Sequence, residues 1–208
     1  MTQEYERLEK RKNEDLQVER IGHQLDDYSI GLCVTGGIAA IEVPKIARHL
    51  RRYGANVNVY TTYEAHKFVG EASLQWGSGN PVVTELSGNS EHICLEDIVL
   101  VAPATTNTIN KIFSGIADNP VTTLIASALG KGVPVYLAPT MHETLYQNPM
   151  LQENLEKSEK YGINIIPPRV GEGKAKMPRL TAIVNAMLRY AKAQDNPEEE
   201  VEQLKLDI

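Results

Sequence analysis

The run Ile98-Val99-Leu100-Val101-Ala102 is apolar at every position, and a strand without polar alternates has to be covered on both faces. That is the environment of an inner strand in a parallel sheet clothed by helices. The surrounding sequence supplies the partners. Ile30 to Val34 is a β-rich run followed at once by Thr35-Gly36-Gly37 and by a helical pattern from Ala39 to Tyr53, closed by Gly54. Asn56 to Tyr60 reads as a second strand and Ala65 to Val69 as a short helical stretch, before a Gly-rich segment containing Gly77, Gly79 and Gly88. Beyond the central run, Ile109 to Phe113 and Val121 to Leu129 have helical spacing and Val133 to Leu137 is another buried strand. Leu151 to Tyr161 is a helix stopped by Gly162, Ile163 to Ile166 a strand, and Leu180 to Lys192 a helix. Strands alternating with helices predict an α/β protein, a Rossmann-like (flavodoxin-like) doubly wound parallel sheet, because each parallel crossover needs a dozen or more residues.

In an open parallel sheet the ligand sits at the carboxyl ends of the strands. Four loops leave predicted strands there: Thr35-Gly36-Gly37-Ile38, Thr61-Thr62, Pro103 to Thr108, and Pro139 to Tyr146. Glycines and hydroxyls also make ordinary turns and helix caps; four such loops on one sheet edge favour a binding site. The first is not the GxGxxG dinucleotide fingerprint, no convincing ribose-binding acid stands after the second strand, and the Walker lysine is missing. What remains is a glycine turn opening a helix, whose amides and positive dipole end suit a single phosphate. A mononucleotide fits best.

Composition limits the alternatives. A chain of 208 residues, 42% hydrophobic and 23% charged, forms one domain with decorations and needs neither a metal nor a disulfide to hold it. Its two cysteines, Cys33 and Cys94, lie in or beside apolar strand-like sequence and read as reduced. Of the net charge of -6, residues 1–27 carry -3 and residues 194–208 carry -5, which leaves the body from Tyr28 to Ala193 at +2. Residues 1–27, with Tyr5, Leu8 and Leu16 among dense charge, read as a charged helical extension, 28–193 as the ligand-binding domain and 194–208 as an acidic tail. The body accepts an anionic ligand without a large opposing field, yet lacks the basic stripe of a nucleic-acid binder. No apolar stretch approaches membrane-spanning length and the N-terminus opens with charge, so the expectation is a cytoplasmic protein without membrane contact.

Three segments carry a resemblance. Val34-Thr35-Gly36-Gly37-Ile38-Ala39-Ala40, Ala102-Pro103-Ala104-Thr105-Thr106-Asn107-Thr108 with its continuation Gly115-Ile116-Ala117-Asp118-Asn119, and Pro139-Thr140-Met141-His142 resemble the flavin-containing cysteine decarboxylases. The likeness runs from about Tyr28 to Met177. It implies FMN held between subunits of a homotrimer or a multiple of trimers, with Gly36, Gly37 and Ile38 in the first flavin loop, Thr61 in the second, Thr105, Thr106, Asn107 and Thr108 in the third, and Thr140 and Met141 at the edge of the fourth. It also implies a catalytic histidine at His92, while His23, His49 and His66 read as surface or cap residues. The implied reaction removes carbon dioxide from a cysteine substrate, 4'-phosphopantothenoylcysteine of coenzyme A biosynthesis being the first choice. Oxidation of the thiol to a thioaldehyde provides an electron sink beta to the carboxylate, and the flavin supplies that oxidation.

The sequence departs from the family pattern in three places. The stretch from His92 to Pro103 is about three residues short of the usual spacing. The fourth loop has His142 where the family has asparagine at the substrate carboxylate. No cysteine stands in the flap-like stretch Pro167 to Met177, where Gly171 and Gly173 permit hinging and Arg169, Lys174 and Lys176 offer charge to a substrate phosphate. His142 and Lys174 are accordingly the expected substrate-binding residues. The departures keep other readings open: an FMN oxidoreductase or electron-transfer protein, a peptidyl-cysteine decarboxylase, and a non-enzymatic flavin-binding subunit.

Overall fold

The computed structural model describes residues 16–195. Its centre is a six-stranded parallel sheet of β1 (Ser29–Val34), β2 (Asn56–Thr61), β3 (Val82–Val83), β4 (Ile98–Ala104), β5 (Val135–Pro139) and β7 (Ile163–Ile165), in the order β3-β2-β1-β4-β5-β7. The order reverses beside β1, which makes the crevice between the ends of β1 and β4 the topological switch point. All seven residues of β4 are buried. Ile98, Leu100 and Ala102 join one core, under α1 (Val43–Arg52) and α7 (Leu180–Asp195), while Val99, Val101 and Ala104 join the other, under α3 (Thr106–Phe113) and α4 (Pro120–Lys131). The apolar run therefore faces two cores because the doubly wound sheet has two.

Local chemistry moves several boundaries from those expected. The pattern from Ala39 to Tyr53 is not one helix: Ile38–Glu42 forms a 3-10 turn, and the α-helix begins at Val43, where Pro44 occupies the first turn without needing a donor. Residues Tyr63–Lys67 form another 3-10 turn. The Gly-rich segment hides α2 (Glu71–Ser78), ended by Gly79 in the left-handed region at φ 77°. Gly77 lies inside this helix because a Cβ there would come within 2.5 Å of the Pro44 carbonyl oxygen, so the close packing of α1 on α2 excludes any side chain. The predicted helix Leu151 to Tyr161 is α6 (Pro149–Glu156), capped by Asn148 at 2.9 Å to Met150 N–H, followed by a separate 3-10 turn at Glu159–Tyr161.

The flap-like stretch is a hairpin. β8 (Arg169–Gly171) and β9 (Lys174–Lys176) pair antiparallel, turning at Glu172 and Gly173 with φ of 55° and 66°, and β6 (Met141–His142) adds a third strand. A short helix, α5 (Glu143–Tyr146), follows β6 directly. The boundary expected at residue 28 also shifts. Leu25, assigned to the extension, is fully buried in the first core, and Ile21 and Leu25 donate backbone hydrogen bonds to Arg52 and Tyr53. Most of the expected N-terminal helix and nearly all of the acidic tail lie outside the described residues. Among the described residues no helix is long and apolar enough to cross a membrane.

Candidate functional site

A cleft of about 1130 Å³ opens at the carboxyl ends of β1, β2, β4 and β5, roofed on one side by the hairpin. It is somewhat larger than the usual small-ligand site and has room for a cofactor together with a substrate. Of the residues singled out from sequence, the cleft gathers Gly36, Gly37, Ile38, Thr105, Thr106, Asn107, Thr108, Thr140, Met141, His142 and Lys174.

Buried hydroxyls fix the loops to one another. Thr35 donates to the Pro103 carbonyl at 2.6 Å and lies 3.3 Å from Thr105 Oγ1, which lies 3.2 Å from Thr108 Oγ1. The first and third loops thus form one rigid floor. Gly36 is required there for space, since a Cβ would meet Glu64 Cβ at 2.5 Å. No side chain caps the N-terminus of α3, whose first turn is Thr106, Asn107 and Thr108; its amides and dipole are open to an anion in the cleft. Asn107 is exposed, available to a polar ligand edge. Thr106 donates to Met141 Sδ at 2.9 Å, joining the third loop to the fourth.

The second loop differs from the expectation. Thr61 is fully buried and does not line the cleft; its hydroxyl meets His66 Nε2 at 2.9 Å and the Val83 carbonyl at 3.3 Å. The neighbouring Thr62 lines the cleft instead, and its Oγ1 is buried without a partner among the described residues. A buried hydroxyl in that condition calls for a ligand polar atom. His66, read as a surface or cap residue, is half-buried and closes on Thr61. Tyr63 and Ile38, 78% and 69% exposed, add apolar walls. The sequence signal for Thr62 and Tyr63 was their position directly after a strand.

His142 Nδ1 lies 3.1 Å from Thr144 Oγ1 and 3.4 Å from Thr144 N–H at the start of α5, while Nε2 has no hydrogen bond among the described residues. Most cations of the cleft are paired: Lys67 with Glu64 and Lys111 with Asp118 at 2.5 Å, Lys176 with Glu172 at 2.6 Å. The Lys111 hydrogen bond holds the Asp118 carboxyl below the usual carboxylate range. Lys174 has no ion pair among the described residues, and Arg169 Nε donates only to the Met177 carbonyl at 3.0 Å. Antiparallel register puts His142, Lys174, Lys176 and Arg169 on one face of the small sheet.

His92 is exposed and outside the cleft of its own chain. It lies in a turn before β4, closed by Ile93 N–H donating to the Ser90 carbonyl at 2.9 Å, with Ile93 and Leu95 nearby 46% and 69% exposed.

These features define an open-sheet α/β protein with a strand-end cleft for an anionic ligand bearing an apolar face. A family model described as Flavoprotein matches residues 19–192, and the chain belongs to that family. It is 44% identical over 167 residues to the "Coenzyme A biosynthesis bifunctional protein CoaBC" of Thermococcus kodakarensis, covering 77% of this chain and 41% of that one. The chain thus spans about two-fifths of that relative's length. It is 36% identical over 146 residues to the "Probable phosphopantothenoylcysteine decarboxylase" of Streptococcus mutans, covering 66% of this chain and 81% of that one. Among solved structures, the FMN-dependent cysteine decarboxylase SpaF superposes with a TM-score of 0.70 at 24% identity, covering 81% of this chain and 99% of that one. The FMN-dependent cysteine decarboxylase TvaF, from thioviridamide biosynthesis, superposes with a TM-score of 0.66 at 27% identity, covering 80% and 98%.

Proposed function

We propose that this chain binds FMN and decarboxylates a cysteine-containing substrate, 4'-phosphopantothenoylcysteine, to 4'-phosphopantetheine in coenzyme A biosynthesis. The observation that carries the reading is the 44% identity to CoaBC of Thermococcus kodakarensis across 167 residues. The cleft fits the cofactor: the unpartnered Thr62 hydroxyl, the open first turn of α3 and the exposed Asn107 amide are polar groups awaiting a ligand. The α3 amides and the Gly36-Gly37 turn would hold the phosphate, Thr62 and Asn107 the ribityl chain and ring edge, and Ile38 and Tyr63 would shield the ring. When bound, FMN would supply the two-electron oxidation of the substrate thiol that makes loss of carbon dioxide possible and would return the same two electrons after it, so that the product is again a saturated thiol.

In this reading the protein's own residues orient and protonate. The substrate's carboxylate–carbon bond breaks, carbon dioxide leaves and one proton is taken up. His142 donates from Nε2 to the carboxylate, and the uncompensated charges of Lys174 and Arg169 receive the phosphate. These two cations make a second anion site beyond the one at the carboxylate, which favours a phosphorylated small molecule over a peptidyl cysteine. The site is completed between copies of the chain in a homotrimer, His92 of one copy reaching the cleft of the next, where an imidazole can pass protons to and from the substrate. Its exposed position beside Ile93 and Leu95 supports this.

The visible absorption of the purified protein and the mass of what heat releases test the cofactor: FMN in near-stoichiometric amount is expected, and a colourless protein that takes up no added FMN contradicts the reading. His92→Asn should keep the flavin and lose at least about 100-fold in turnover. Wild-type turnover in that variant removes His92 from the mechanism.

A further inference from the structure

Between β3 and β4 the chain runs from Thr84 to Asp97 without helix or strand, and His92 stands in it. Such a stretch is held in place by polar anchorage. Its main anchor is Glu96, only 2% exposed. Oε1 of Glu96 accepts from the Tyr60 hydroxyl at 2.7 Å and from Asn58 Nδ2 at 3.2 Å; Oε2 accepts from Leu95 N–H at 3.1 Å and the Cys94 thiol at 3.6 Å. Among the described residues no cation forms an ion pair with it.

The sheet is shaped to receive this carboxyl group. Gly31 stands opposite Asn58 and Cys33 opposite Tyr60 in the β1–β2 register, so the two donors of β2, two residues apart, project from the same face. A Cβ on Gly31 would lie 3.3 Å from Glu96 Cγ and 3.0 Å from Leu124 Cδ2; glycine leaves the place that Glu96 occupies. Further ties surround it. Cys94 N–H donates to Ser127 Oγ at 2.9 Å, Lys131 Nζ donates to the Cys94 carbonyl at 3.3 Å, and Asp97 Oδ2 accepts from Ser29 N–H and Oγ at 2.8 and 2.7 Å. All of these grip residues 94–97 and leave His92 projecting just beyond the clamp.

A buried carboxyl group without a cation is a poor source of stability, because an apolar side chain of the same shape serves packing as well. What four convergent donors provide is a single backbone register. We infer that Glu96, gripped by Tyr60 and Asn58, is a positioning residue that fixes His92 for the neighbouring cleft; this rests on the proposed catalytic role of His92. Only Ile93, Cys94 and Leu95 separate His92 from Glu96, which leaves little chain to absorb an error. A misplacement of about 1 Å costs on the order of 100-fold in rate.

The test compares Glu96→Gln and Tyr60→Phe with the wild type as flavin-loaded full chains. Either change should speed amide exchange over residues 90–97 and lower kcat by about 10- to 100-fold, with KM within about twofold and flavin content unchanged. In a His92→Asn background the same changes should leave the residual rate as it is, since the anchor acts only through that histidine. Wild-type kcat and exchange in an active protein overturn the inference, as does an equal fall in the His92→Asn background. If Glu96→Gln fails to fold, Tyr60→Phe, which keeps the ring packing, carries the test. A wild-type protein that decarboxylates nothing overturns instead the reading of His92 on which the inference rests.

Discussion

Gly36 shows how little freedom the cleft floor has. Its neighbour across the floor is Glu64, and a methyl group at Gly36 would meet Glu64 Cβ at 2.5 Å. Gly36→Ala should cost about 1–3 kcal/mol through overpacking and lower flavin retention, as read by urea unfolding and by flavin content after dialysis. The thiols obey burial in another way. Burial first of all pushes Cys94 up to about 11 and Cys33 well above its ordinary range, Glu96 adding to the rise in Cys33. An unfolded thiol ionises near about 8.5, so above that pH only the unfolded chain loses the protons. Stability conferred by the neutral thiols is complete below that value and declines as pH rises towards 11. Native protein should resist iodoacetamide at pH 8 and react fully in urea, and its urea midpoint should fall more steeply above pH 9 than that of the Cys33→Ala, Cys94→Ala double variant. At this scale sequence shows which residue types gather and misses which way they turn. Thr61 and Thr62 are adjacent hydroxyls after one strand, and only the three-dimensional partners, His66 and Val83 for the first, decide that the second faces the cleft.

In the proposed reading the hairpin is the element that carries substrate selection. Sequence marks its glycines and charges, but not that Glu172 neutralises Lys176 at 2.6 Å while Lys174 forms no ion pair among the described residues. Lys174→Gln should raise KM for the phosphorylated substrate about tenfold, the worth of roughly one charge-assisted hydrogen bond. The KM for the dephosphorylated analogue should not move, and steady-state kinetics with both substrates reads the difference. Equal rises for the two would place Lys174 elsewhere than at the phosphate. The strands β1, β4 and β5 were legible because a buried strand must be apolar along its length. Helix α2 was not, because Gly77 and Gly79 belong to a close approach to Pro44 and to a left-handed cap, and both look like a loop in composition.

The whole molecule is an open parallel sheet whose switch point, between β1 and β4, coincides with the cleft. The alternation of strand and helix made that architecture readable, and the loops at the strand ends made most of the site readable with it. What periodicity has no means of expressing is the relation between His92 and the cleft: the histidine lies outside its own chain's cavity, so the role proposed for it depends on how copies meet. The central claim concerns chemistry and is tested most directly by incubating the purified, FMN-loaded protein with 4'-phosphopantothenoylcysteine and following the product by mass. The account predicts a product lighter by one carbon dioxide and identical to 4'-phosphopantetheine, with flavin neither gained nor lost over many turnovers. Substrate returned unchanged by a flavin-loaded protein would contradict it.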